Sequence, residues 1–158
     1  MNEDSMSKSQ LLDFISHVFY GVSLGAGTGL MEGEGMDSHA SAAKLAELRA
    51  MDEKEDWKAI PHARLNQYCT GLCFMDPAGM RFHLPAFLVA HLERSLDQDI
   101  LFHLIYLDND ATSRFGLLST EQRKAVAKFL EFCLQDDPRT EPIRDSIQSA
   151  LDNYWERT

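Results

Sequence analysis

A chain of 158 residues, 44% apolar and 25% charged, is long enough to bury a core without disulfides or metal and too apolar to stay disordered. Its net charge of −10 works against a phosphate backbone, and Lys and Arg are scattered singly apart from Arg123-Lys124, so nucleic acid is not an expected partner. No apolar run nears the roughly 20 residues that cross a bilayer, the first residues lack the basic and apolar regions of a signal peptide, and three cysteines without a C-x-x-C pair fit a cytoplasmic protein.

Residues 1–7 are polar and read as a disordered tail of a single domain spanning 1–158. Leu11, Phe14, Ile15, Val18 and Phe19 then fall on one face of an amphipathic helix, with Ser7 and Gln10 spaced as a capping box. Six of the nine glycines lie between 21 and 35, so 21–37 reads as a long Gly-rich loop. A second helix is expected from about Ser38 to Asp56, with Ala42, Leu45, Leu48 and Met51 at three-residue intervals, closed by Trp57, Ile60 and Pro61.

The segment from Phe74 to Leu88 reads as a β-hairpin leading into a helix. Tyr68 to Phe74 is the first strand, Asp76-Pro77-Ala78-Gly79 the turn, and Met80 to Leu84 the returning strand. Pro85 then opens a helix carrying Phe87, Leu88, His91, Leu92, Ser95 and Leu96. Ile100 to Leu107 is apolar and short, compatible with a buried strand or two helical turns. Ser119 with Gln122 boxes a further helix buried through Val126, Phe129, Leu130 and Cys133. A last helix follows Pro138 and Pro142, with Ile143, Ile147, Ala150, Leu151 and Tyr154 on one face. The expected class is α+β: about five helices around a two-stranded hairpin.

Motifs for chemistry are weak. Gly25-Ala26-Gly27-Thr28-Gly29 lacks the spacing of a nucleotide fingerprint, follows a helix, and has no Lys or Arg between Lys8 and Lys44, so it reads as a mobile loop. Asp108-Asn109-Asp110-Ala111-Thr112 imitates a phosphatase nucleophile motif without the βα units such a fold needs, and fails as a calcium loop at Ser113 and Ser119. It reads as a solvated turn. No metal-ligand spacing and no cofactor signature is present among the six histidines or elsewhere. His83, His91 and His103 fall on successive elements that could converge with Arg81, an arginine between apolar neighbours that needs a carboxylate such as Asp56, Glu55 or Asp76.

These residues carry a resemblance. Phe74-x-Asp76-x-x-Gly79-Met80-Arg81-Phe82-His83-Leu84-Pro85-Ala86-Phe87, preceded by Glu55-Asp56-Trp57-x-x-Ile60-Pro61 and followed by Arg114-Phe115-x-Leu117-Leu118-Ser119-x-Glu121-Gln122-Arg123, resembles a bacterial family known only as a domain of unknown function. The resemblance covers most of residues 11–134 and implies a cytosolic bacterial protein, with no activity to carry over. Two functions are expected from the residues themselves. The first is a non-enzymatic protein-interaction module, an immunity-type or regulatory binder whose partner is another protein. The alternative is a small enzyme or a metal- or small-ligand-binding protein using Arg81, His83, His91 and His103 at the hairpin–helix junction. A structural or self-associating role comes third.

Overall fold

The computed structural model describes residues 4–157. Its first helix, α1 (Lys8–Val18), starts where the capping box places it: the Gln10 amide donates to the Ser7 hydroxyl at 3.2 Å, and the Ser7 amide donates to Gln10 Oε1 at 2.9 Å. Ahead of it, Met6 packs on the core and Ser5 donates to Gln135 Oε1 at 2.9 Å, so residues 4–7 are tied down. The rest of the expected tail, 1–3, lies outside the described residues.

The Gly-rich stretch is not all loop. Its second half is a helix, α2 (Leu30–Asp37), followed by α3 (Ala42–Met51), which is shorter than the sequence suggests. Asp52 makes α2 possible. Its carboxylate accepts from the Met31 and Glu32 amides at 2.8 and 3.2 Å, capping the helix from a distant segment. Arg49 of α3 donates to the carbonyls of Gly27 and Gly25, the latter at 2.7 Å, and pairs with Glu32 at 3.1 Å. Leu24 to Gly29 is therefore fastened rather than mobile.

The chain continues through a 3-10 turn (Trp57–Ala59), α4 (His62–Gln67) and a second 3-10 segment (Cys69–Phe74) into α5 (Pro77–Leu92). Here the expected α+β class and β-hairpin are corrected. Among the described residues there is no strand; the protein is all-helical. Asp76-Pro77-Ala78-Gly79 begins a helix instead of turning a hairpin. The Asp76 carboxylate accepts from the Gly79 amide at 2.8 Å, and Pro77 occupies the first helical position. A first helical turn and a type I turn share their backbone angles, so the same residues suit both. Alternation at Met80, Phe82 and Leu84 imitates a strand because α5 is buried on every side, from Met80 to Leu88 with only Arg81 half-buried. Such a helix has no polar face to reveal its period. Pro85 sits in its interior, and the missing N–H costs about 3 kcal/mol, offset by the burial of Phe82, Phe87 and Leu88 at about 2 kcal/mol each.

Close backbone approach explains two of the glycines. A Cβ on Gly71 would stand 2.5 Å from the Leu30 carbonyl oxygen, where α2 crosses the Cys69–Phe74 segment. One on Gly79 would stand 2.5 Å from the Thr28 carbonyl, where the fastened loop meets the start of α5.

The remaining helices are α6 (Ile100–Ile105), α7 (Asn109–Arg114), α8 (Thr120–Asp136) and α9 (Arg144–Ala150), with a 3-10 turn over Pro138–Ile143 and a π turn over Leu151–Trp155. The ambiguous apolar segment is thus helical over Ile100–Ile105, and Asp108 is an N-cap, accepting from the Ala111 amide at 2.7 Å. Ser119 and Gln122 form the expected box on α8, whose Gln122 side chain also donates to the Val18 carbonyl at 3.1 Å, joining α8 to α1. One apolar cluster gathers Phe19, Phe82, Phe87, Phe115 and Phe129 with aliphatic residues of α1, α5, α6 and α8. The two tryptophans close it: Trp57 donates to the Phe19 carbonyl at 3.1 Å and Trp155 to that of Leu104 at 2.8 Å.

Candidate functional site

With α5 helical, Arg81 and the three histidines are distributed along a rod and its neighbours rather than drawn to one junction. His83 is a core residue. Its Nδ1–H donates to the Gly79 carbonyl at 2.7 Å, Nε2 is buried without a partner among the described residues, and burial pushes the imidazole down to about 4, so it is neutral at pH 7. Arg81 is half-buried with an unpartnered Nε, and among the described residues no carboxylate forms an ion pair with it, Asp56, Glu55 and Asp76 included.

His91 lines a cleft of about 410 Å³ where the end of α5 meets the end of α8. Its Nε2 lies 3.8 Å from Cys133 Sγ and 3.5 Å from Asp137 Oδ2. A nucleophilic relay needs the thiol on one ring nitrogen and the carboxylate on the other; here both meet the same nitrogen. Burial and the Asp137 charge push the Cys133 thiol up to about 12, the opposite of activation. Asp137 is committed to Arg139, which donates through Nε at 2.9 Å and Nη2 at 2.8 Å and holds the carboxyl down to about 2. Burial, with Arg139 beside it, also lowers the His91 pKa. The arrangement is a polar latch between helix ends. Among the described residues no group of three or more His, Cys, Asp or Glu could hold a metal ion.

His103 stands elsewhere, on α6, and leads to a surface the sequence did not single out. Ile100, Leu101 and Leu104 bury the inner side of α6. Phe102 and Tyr106, four residues apart, share the outer side, 53% and 65% exposed, their rings stacked at 4.6 Å and 30°. The His103 ring meets Phe102 edge-on at 5.7 Å, and burial together with Arg114 lowers its pKa. Beside Phe102 runs a groove of about 200 Å³ reaching Cys69, Cys73 and Phe87. Beside Tyr106 lies a wider cleft of about 710 Å³ bounded by Ile105, Ala150 and Tyr154. Exposed aspartates bracket the pair: Asp97 and Asp99 before α6, Asp108 and Asp110 after it, and Asp145 across the wider cleft. The surface is rigidly mounted, because Asp99 caps α6 at the Leu101 amide (3.0 Å) and Trp155 holds the Leu104 carbonyl. The available signal was an aromatic pair at i, i+4 flanked by aspartates, hidden inside an apolar run too short to show a period.

A family model described as "Family of unknown function (DUF6714)" matches residues 7–158, from the cap of α1 through the π turn. The chain belongs to that family. Its description names no activity, and the segment that suggested kinship as a hairpin is the start and body of α5. No curated protein and no solved structure matches the chain. Among the described residues no helix is long and apolar enough to cross a membrane.

Proposed function

We propose that this protein is a non-enzymatic, cytoplasmic protein-interaction module that takes a basic, apolar segment of its partner onto the α6 face. The observation that carries the reading is the stacked, exposed Phe102–Tyr106 pair bracketed by five aspartates. Two aromatic rings left in water are costly to hydrate and form the usual centre of a binding surface. Their faces attract Lys and Arg, and the aspartates around them speed the approach of a positively charged partner and discourage an acidic one. The grooves on either side give apolar side chains of the partner a place to enter. The His91–Cys133–Asp137 geometry argues against the enzymatic alternative, since it yields neither a thiolate nor a base on a separate nitrogen.

The test uses fluorescence anisotropy with an amphipathic Lys/Leu peptide, its Glu/Leu counterpart, and the double variant Phe102→Ala/Tyr106→Ala. The Lys/Leu peptide is expected to bind, more weakly as salt rises, and to lose at least about tenfold in affinity with the double variant. The Glu/Leu peptide is expected not to bind. Equal binding of both peptides, or unchanged affinity in the double variant, would refute the proposal.

A further inference from the structure

Four of the fifteen Lys and Arg gather at one place in the fold. Arg123, Lys124 and Lys128 of α8 and Arg157 beyond the π turn line a cleft of about 570 Å³, on a chain whose net charge is −10. That volume suits a small molecule. The floor is apolar, formed by Ala127 and Trp155, and the stems of the basic side chains extend it. Arg123 is fixed in place: its Nη2 donates to the Tyr154 carbonyl at 2.9 Å, and its guanidinium lies 4.2 Å from the Tyr154 ring centre and 5.4 Å from that of Trp155. Lys128, further along α8, is held by Glu131 at 3.2 Å and Asp4 at 3.4 Å. The exposed Lys124 has no ion pair among the described residues.

We infer that this cleft binds a small organic phosphate, its head on Arg123, Lys124 and Arg157 and its apolar body over Ala127 and Trp155. Four cations face three carboxyls, Glu131, Glu156 and the Asp4 that pairs with Lys128, an excess of one positive charge centred on Arg123, Lys124 and Arg157. A phosphate monoester, with a charge of about −1.5 to −2 at neutral pH, would be attracted to that positive end of the cleft. Burial and the neighbouring Glu131 push the Glu156 carboxyl up. A long polyanion would leave the cleft and meet the acidic remainder of the surface, whereas screening over roughly 8 Å shields a small ligand from it. The site is independent of the α6 face, so the two proposals fail separately.

The experiment titrates the full chain with phenyl phosphate, inorganic phosphate and phenol, following amide and indole shifts by NMR and affinity by calorimetry. Phenyl phosphate is expected to bind best of the three and to shift Ala127 and the Trp155 indole. Lys124→Glu is expected to weaken it at least about tenfold, while Lys58→Glu, which changes the net charge equally at an exposed residue beside Trp57, leaves affinity unchanged. Thermal melts of both variants establish that the fold is intact. Equal weakening by the two variants, shifts centred away from Trp155, or no saturation at millimolar phenyl phosphate would overturn the inference.

Discussion

Two regions of this molecule are built on opposite terms. Where α2, the Leu24–Gly29 loop and the start of α5 meet, backbones touch, glycines replace side chains, and Asp52, Asp76 and Arg49 consume the local amides and carbonyls. On the α6 face two large rings stand in water with grooves on either side. The first region uses residues that look functional in a sequence, glycines and acids, entirely for packing. The second uses residues that look like core as a surface. Residue type alone does not separate the two uses; what separates them is whether each group already has a partner within the chain.

The largest effect is expected at the seam. Gly71→Ala drives a methyl group against the Leu30 carbonyl, and should cost about 3 kcal/mol in a denaturant titration. A loss under about 1 kcal/mol would mean the seam is loosely packed.

The acid response of α5 comes next. The His83 imidazole ionises near pH 4 in the fold, against 6.5 outside it. Its neutral form favours the fold above pH 6.5, and that contribution, about 3 kcal/mol, drains away as pH falls toward 4. His83→Leu should flatten this part of the pH–stability curve relative to the wild type, while the carboxylate-driven decline below it, to which Asp137 contributes, persists. Parallel curves would place His83 in contact with solvent.

A smaller loss is expected from Asp52→Ala, about 1–2 kcal/mol for removing the α2 cap. Hydrogen exchange should accelerate first at Met31 and Glu32. The smallest stability change is expected on the α6 face: Phe102→Ala and Tyr106→Ala should each stay within about 0.5 kcal/mol of the wild type. A large destabilisation there would make the pair a structural element and erase the contrast between the regions.

The parts of the fold legible in the sequence were those whose signal is local. The Ser7–Gln10 and Ser119–Gln122 boxes place the starts of α1 and α8 because capping chemistry needs no knowledge of the tertiary structure. The expectation of a hairpin fails because a helix buried on every side loses its periodicity, and because Asp-Pro-x-Gly serves a helix start as well as a turn. The expectation of a loop over the whole Gly-rich stretch fails because α2 depends on Asp52, some 20 residues away in sequence. The expected convergence of Arg81, His83, His91 and His103 rests on a hairpin whose place α5 takes. Phe102 and Tyr106 do not stand out from their apolar run in sequence because exposure is a tertiary property.

The contrast between the two regions is tested most directly by mapping amide chemical-shift changes while the amphipathic Lys/Leu peptide is titrated into the full chain. Changes are expected to centre on residues 97–110 and to reach Cys69, Cys73 and Asp145 across the grooves, with residues 24–33 silent. Changes centred on the glycine seam, or spread evenly over the acidic surface, would contradict the assignment of binding to α6.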